Sequence, residues 1–377
     1  MIYLDNSATT KPCQKTVEAI NYTLTENWGN PSSTYSHGIN ALEIIDDARK
    51  TVASSIGAKS EEIFFTSSGT EANNLAIFGC ANALKKKGKK IVSTSIEHPS
   101  VLEAFKKLSD DGFETVFLSP DENGCIKEED LRREIDKNTI LVSIMLVNNE
   151  IGSIQPIEIA SRIIKEKTSP ALLHCDAVQG YGKLPIKVST LGVDLLSASG
   201  HKIHASKGIG FLYKKSGVNI HPVIYGGGQE KGLRSGTESV PLIAGLGAAV
   251  KDLPDLNKNL PAQQEFYDKA KEILTQIEAI KINSPQNALP YILNISIDGY
   301  KSEPMLNALA LDNIFVSKGS ACAKGHRSYV LSEIGLSNDR IDSAIRISFS
   351  KENTLEEIET LKNAIIKITE KMRRFKR

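Results

Sequence analysis

The chain has 377 residues, 40% of them hydrophobic, with 46 Lys and Arg against 45 Asp and Glu for a formal net charge of +1. That length accommodates one large domain plus a smaller one, and the balanced charge gives no electrostatic case for nucleic acid or a membrane surface as a partner. The five cysteines (Cys13, Cys80, Cys125, Cys175, Cys322) form no CxxC pair, which argues against a zinc site, an iron–sulfur cluster or a disulfide framework.

Met1 to Asn6 lacks the charged and apolar regions of a signal peptide, and the longest apolar stretch, Ile140 to Val147, is too short to span a bilayer. A reduced, soluble, cytoplasmic protein is the expectation. From about residue 60 to 250, short apolar strands alternate with helices. Ile63 to Thr66 leads into a helix carrying Leu75, Phe78 and Leu84, and Ile91 to Ser93 precedes a helix through Val101, Leu102 and Phe105. Thr115 to Leu118, Ile140 to Val147, Ala171 to Asp176, Val193 to Ser197 and Ile209 to Tyr213 continue the strands. Continuous apolar strands separated by helices predict an α/β fold with a mainly parallel sheet flanked by helices. In such sheets ligands bind at the carboxyl ends of the strands.

Past Val250 the texture changes. Asp252-Leu253-Pro254-Asp255 breaks the pattern, a helix is expected from Ala262 to about Ile280, and strands at Ile292 to Ile297 and Ile345 to Phe349. A last helix starts at the capping-box pattern Thr354-x-x-Glu357 and buries Ile358, Leu361, Ile365 and Ile368. We expect a large domain over 13–255 and a smaller α+β domain made of 1–12 plus 256–377.

The polar residues at the strand ends carry the chemistry, and each has a bland reading beside it. Lys202, in Ser199-Gly200-His201-Lys202, follows an apolar strand; partial burial would disfavour its charged form and suit it to a Schiff base. Thr66 to Asn73 is a strand, a turn of small residues and a helix start, either an ordinary capped helix or an anion site. Asp176 is a strand-end turn acid or the partner of a heteroaromatic nitrogen, with Gln179 three residues on. His98 caps a helix or stacks on a flat cofactor. Together these are the protein groups that pyridoxal 5′-phosphate needs.

At this point the chain resembles the cysteine desulfurases of the NifS/IscS type, class V aminotransferase-like enzymes with the fold-type I scaffold of pyridoxal phosphate enzymes. The resemblance runs from Tyr3-Leu4-Asp5-Asn6-Ser7-Ala8-Thr9-Thr10 to Arg346-Ile347-Ser348. Between them lie Gly29-Asn30-Pro31-Ser32-Ser33, Gly69-Thr70-Glu71, Glu97-His98, Asn148-Asn149-Glu150-Ile151-Gly152, Asp176-Ala177-Val178-Gln179-Gly180, Arg234-Ser235-Gly236-Thr237 and Gly319-Ser320-Ala321-Cys322. It implies that Lys202 carries the cofactor as a Schiff base, Asp176 pairs with the pyridinium nitrogen, Gln179 reaches the ring hydroxyl and His98 stacks on the ring. Gly69, Thr70, Ser199 and His201 would cradle the phosphate, with Thr237 supplied by the second subunit of a homodimer that shares its active sites. Asn149 and Arg346 match the positions that hold the substrate α-carboxylate; without the family, Arg346 reads equally well as a surface salt-bridge partner.

Cys322 separates the possible activities. It lies in a Gly- and Ser-rich stretch beside Lys318, Lys324, His326 and Arg327, where positive charge favours the thiolate. By resemblance it is the nucleophile that takes sulfur from L-cysteine as a persulfide, with Lys202 or His98 returning a proton to give L-alanine. The sulfur would pass to an acceptor protein in iron–sulfur cluster assembly or tRNA thiolation. A selenocysteine lyase, a class V aminotransferase and a non-catalytic sulfur-relay protein remain alternatives at this stage. The chain departs from the familiar pattern at Tyr35, where a histidine is usual, at His204-Ala205-Ser206-Lys207-Gly208, and in the shorter, more basic stretch from Cys322 to Tyr329.

Overall fold

The computed structural model describes residues 1–319, 327–371 and 374. Its largest element is a seven-stranded sheet in the order Ile63–Thr66, Gly210–Lys214, Leu195–Ser199, Leu172–Asp176, Thr139–Met145, Lys90–Thr94, Glu114–Leu118. Gly210–Lys214 runs antiparallel to both its neighbours; the other six strands share one direction. The expected parallel sheet is therefore present with one reversed strand. The reason is connection length: residues 200–209 are too few for the crossover that a parallel return requires.

Successive strand residues point to opposite faces, so the short apolar runs feed two cores at once. Phe64, Ile91, Leu195 and Leu212 pack with Leu75, Cys80, Val101 and Phe105 of helices Gly69–Leu84 and Pro99–Asp110. Phe65, Val92, Leu196 and Phe211 face the other way, onto Ile45, Val52, Ile163 and Leu246 of helices Ser36–Ser55, Ile157–Glu166 and Val240–Lys251. Both faces are covered, as the absence of polar alternation in the strands requires.

The C-terminal part builds a second, antiparallel sheet of Ala344–Ser348, Ile292–Ile297 and Ile280–Ile282. Helices Leu256–Thr275, Ser302–Leu311 and Leu355–Lys371 close its core through Tyr267, Leu274, Leu309, Leu361 and Ile365. The helix expected over 262–280 instead starts at Leu256, capped by Asp255, whose carboxylate accepts the Asn257 N–H at 3.1 Å. It stops at Thr275, and Ile280 opens a strand. The expected capping box forms: Glu357 N–H donates to the Thr354 hydroxyl and Thr354 N–H to the Glu357 carboxylate, at 3.4 and 3.3 Å.

The N-terminus ties the two sheets to the site. Ile2–Tyr3 pairs in parallel with Ile314–Phe315, and Asp5 bridges to Ser348. The chain then crosses to the large sheet, where Thr10 N–H donates to the His201 carbonyl at 2.8 Å. Among the described residues no helix is long and apolar enough to cross a membrane.

Candidate active site

Because six strands share a direction, Thr66, Thr94, Met145, Asp176 and Ser199 end on one edge of the sheet, and the segments leaving them enclose a cavity of about 300 Å³. Gly69, Thr70, His98, Asn149, Asp176, Gln179, Ser199, His201, Lys202 and Arg346 all line it. Thr237 does not: it is exposed, in a separate groove with Ser67 and Arg234. Cys322 lies outside the described residues.

Lys202 is held by the turn that follows strand Leu195–Ser199. Its ammonium donates to the carbonyls of Ser7 and Ala8, the latter at 2.8 Å. Burial, then the neighbouring charges of Arg346 and Lys183, pull its pKa down to about 7. Lys183, on the other side of Lys202, is itself buried and pulled down to about 8. It donates to Gln179 Oε1 at 3.4 Å, while Gln179 Nε2 donates to the Ser7 carbonyl at 3.0 Å.

At the opposite end, Asp176 does two jobs. Its Oδ1 accepts the Val178 N–H at 3.0 Å, as a turn acid does, and its Oδ2 accepts from Asn73 Nδ2 at 2.7 Å. His98 also satisfies both of its readings. It caps helix Pro99–Asp110 by accepting the Ser100 N–H at Nδ1, 3.1 Å away, and still lines the cavity. Burial, ahead of the opposing effects of Asp176 and Lys202, lowers its pKa. Burial and the Lys202 charge push His201 down to about 4, so both histidines are neutral near pH 7.

The helix Gly69–Leu84 starts with Ser68 as its cap, accepting the Glu71 N–H at 3.1 Å. A Cβ at Gly69 would meet Val178 Cγ2 at 2.7 Å and Ser199 Cβ at 3.3 Å, so the strand–helix turn leaves room only for glycine beside the helix's first N–H groups. Such a terminus favours an anion. Capped helix and anion site are one object here.

Arg346 is buried at 1% exposure, which overturns the surface reading. Its guanidinium donates to Asp5 Oδ1 at 2.7 Å and to the Asn149 carbonyl at 2.9 Å. Its Nε has no partner among the described residues, and neither do the buried Ser7 Oγ and Asn73 Oδ1. Unmade bonds on buried polar atoms are costly, and these three residues all line the one cavity. A carboxylate at one end, a desolvated amine at the other and a side-chain-free anion cradle beside it fit a phosphorylated pyridine aldehyde.

The flanks of the stretch that carries Cys322 also reach this edge. Ser317 exchanges backbone bonds with Arg346 at 2.7 and 3.1 Å, a Cβ on Gly319 would lie 2.8 Å from Glu150 Oε2, and Ser328 donates to Glu150 Oε2 at 2.6 Å. Sequence reasoning passed over Ser7, Asn73, Ser100 and Lys183. Ser7 and Asn73 stood inside quoted stretches, but nothing local distinguished them from other polar loop and helix-start residues.

Comparison with known proteins agrees with this geometry. The aminotransferase class-V family model matches residues 2–361. The cysteine desulfurase IscS of Dictyoglomus turgidum is 41% identical over 99% of this chain and 95% of its own length, and that of Methanosarcina thermophila 40% identical over 99% and 93%. Among solved structures, a NifS-like protein superposes with a TM-score of 0.93 at 37% identity, covering 98% of this chain and all of that one. SspA in complex with cysteine superposes with a TM-score of 0.83 at 35% identity, over 93% of this chain and 99% of its own. Agreement from end to end, in sequence and in backbone alike, makes the chain a member of the aminotransferase class-V family, alongside the NifS- and IscS-type cysteine desulfurases.

Proposed function

We propose that this chain is a cysteine desulfurase that moves the sulfur of L-cysteine onto Cys322 and releases L-alanine. Its family is pyridoxal 5′-phosphate-dependent, and the reading rests chiefly on Lys202, a buried cavity-lining amine whose pKa burial lowers to about 7. In this reading Lys202 holds the cofactor through its amine and Asp176 takes the ring nitrogen. Gln179 takes the ring hydroxyl and His98 covers the ring face. Gly69, Thr70, Ser199 and His201 take the phosphate, joined by Thr237 from a second copy of the chain. The exposed position of Thr237, outside the cavity of its own chain, supports that homodimer. When bound, the cofactor supplies an electron-accepting ring for the pair left as the substrate α-proton departs.

Arg346 and Asn149 orient the substrate α-carboxylate, the unpartnered Nε adding a donor to a guanidinium already fixed by Asp5. Lys202, whose pKa burial and the Arg346 and Lys183 charges lower far below the usual lysine value, takes the α-proton and later returns one. The Cys322 thiolate attacks the substrate sulfur, so an S–S bond forms as the Cβ–S bond breaks and its electron pair stays with the carbon skeleton, which takes up protons. L-cysteine plus the Cys322 thiol thus gives L-alanine plus a Cys322 persulfide, and no external oxidant is needed. The persulfide then serves an acceptor protein of iron–sulfur cluster assembly or tRNA thiolation. We place the large domain at 13–255 and the small one at 1–12 plus 256–377, with Arg346 and the Cys322 stretch on the latter.

The test is release of sulfide and alanine from L-cysteine by the holoenzyme, with a persulfide on Cys322 seen by mass spectrometry. Cys322→Ala should bind cofactor and substrate yet release no sulfide. Conversion of a keto acid to an amino acid, without sulfide, would replace this reading with aminotransferase activity.

A further inference from the structure

Two cavity residues without an assigned role form a hydrogen-bonded chain. Asn73 Nδ2 carries two protons and donates both, one to Asp176 Oδ2 at 2.7 Å and one to Ser100 Oγ at 2.9 Å. Ser100 Oγ stands 2.8 Å from His98 Nδ1, which also accepts the Ser100 N–H at 3.1 Å. Asp176 therefore connects to His98 through Asn73 and Ser100; the two Asn73 bonds are buried and the Ser100–His98 bond is part-buried.

The directions of these bonds are not free. An ionised carboxylate only accepts, so Asn73 must turn its amide nitrogen toward Asp176. It does so although its Oδ1 is left without a donor among the described residues. A backbone N–H only donates, so His98 Nδ1 carries no proton, and the neutral ring bears its proton on Nε2. Protonating Nδ1 would break the bond it accepts from the Ser100 N–H and reverse the direction of its bond with the Ser100 hydroxyl.

We propose that Asn73 and Ser100 are positioning residues that couple Asp176 to His98 and hold His98 as the neutral Nε2–H tautomer, leaving the proton transfers of the reaction to Lys202. The charged groups around His98 act in opposite directions, and burial decides between them. Burial, helped by Lys202, outweighs the raising effect of Asp176, His201 stays neutral, and burial raises the Glu97 pKa to about 8. The inference rests on the reading of this cavity as the pyridoxal phosphate site, with His98 over the ring.

The experiment uses holoenzyme labelled with ¹⁵N-histidine, the His98 signals being assigned by their loss in His98→Gln. Wild type should show Nδ1 unprotonated and Nε2 protonated, unchanged between pH 8 and pH 6. Ser100→Ala should raise the His98 titration midpoint by roughly half a pH unit to one unit, because Nδ1 loses a donor that competes with the proton. It should lower kcat by about tenfold while KM for L-cysteine stays within about twofold, and Ser100→Thr should restore both. Asn73→Leu should reproduce the kcat loss. A protonated Nδ1 in wild type overturns the proposal. So does a Ser100→Ala enzyme with lowered Tm but an unmoved His98 midpoint. If no variant folds, the wild-type tautomer alone decides. Wild type that releases no sulfide would defeat the functional reading instead, because the histidine signals report the chain whatever reaction the protein performs.

Discussion

Two lysines sit at opposite edges of the same sheet, and their surroundings send them in opposite directions. Lys90 opens strand Lys90–Thr94 at its amino end, with Glu134 and Asp136 at 3.1 and 3.2 Å and Glu114 at 4.0 Å. Burial pulls its pKa down, but Glu134 and Asp136 outweigh that and hold it above the usual lysine value. Lys202 leaves strand Leu195–Ser199 at its carboxyl end, bonded among the described residues only to carbonyls, where burial, Arg346 and Lys183 outweigh the raising effects of Asp5 and Asp176. Denied a carboxylate at contact distance, it falls to about 7. The comparison teaches that what makes a lysine reactive here is the company withheld from it.

The sharpest way to break the contrast is Lys202→Ala, which should remove the covalent attachment and the main acid–base group together. Sulfide release should fall by about a thousandfold or more, while Lys90→Met leaves kcat within about twofold. Equal losses from the two variants would mean that the lysine environments do not matter. Arg346→Lys ranks next. A guanidinium fork replaced by a point charge should raise KM for L-cysteine by roughly tenfold to a hundredfold, read from initial rates, with a smaller change in kcat.

On stability the order of the two lysines reverses. Lys90→Met strands Glu134 and Asp136 and should cost about 1–2 kcal/mol by urea unfolding, discounted because both acids are partly exposed. The last effect is a slope. Lys202 binds a proton less readily folded than unfolded, so between pH 7 and the unfolded value of about 10.4 the unfolded chain holds more protons and stability rises with pH. In apoenzyme, Lys202→Met should flatten the rise between pH 7 and 9 by about 1 kcal/mol per unit relative to wild type. Lys183→Met should shift that rise upward in pH, because removing a neighbouring cation lets Lys202 keep its proton longer.

Much of the large sheet was legible because its strands are short and apolar on both faces, which only a doubly covered sheet can satisfy. The reversed strand Gly210–Lys214 was not, since its composition matches its parallel neighbours and only the short connection over 200–209 turns it back. The helix expected over 262–280 was misjudged at both ends: it begins at Leu256, right after the break at 252–255 and with Pro261 inside it, and ends at Thr275.

At the site, residue identity alone supplied candidates with two readings each. Asp176, His98 and Ser68 turned out to perform the local job and still line the cavity, because a capping or turn bond occupies only part of each polar group. From the order of its residues the protein had already settled its strand ends, its helix starts and its family motifs, all local or repeated patterns. Folding alone decided that Arg346 is buried against Asp5, that Lys183 stands near Lys202, and that Asn73 meets Ser100 and Asp176. Those partners lie far apart in the chain, and charge and hydrogen bonding act through the few ångströms that packing sets.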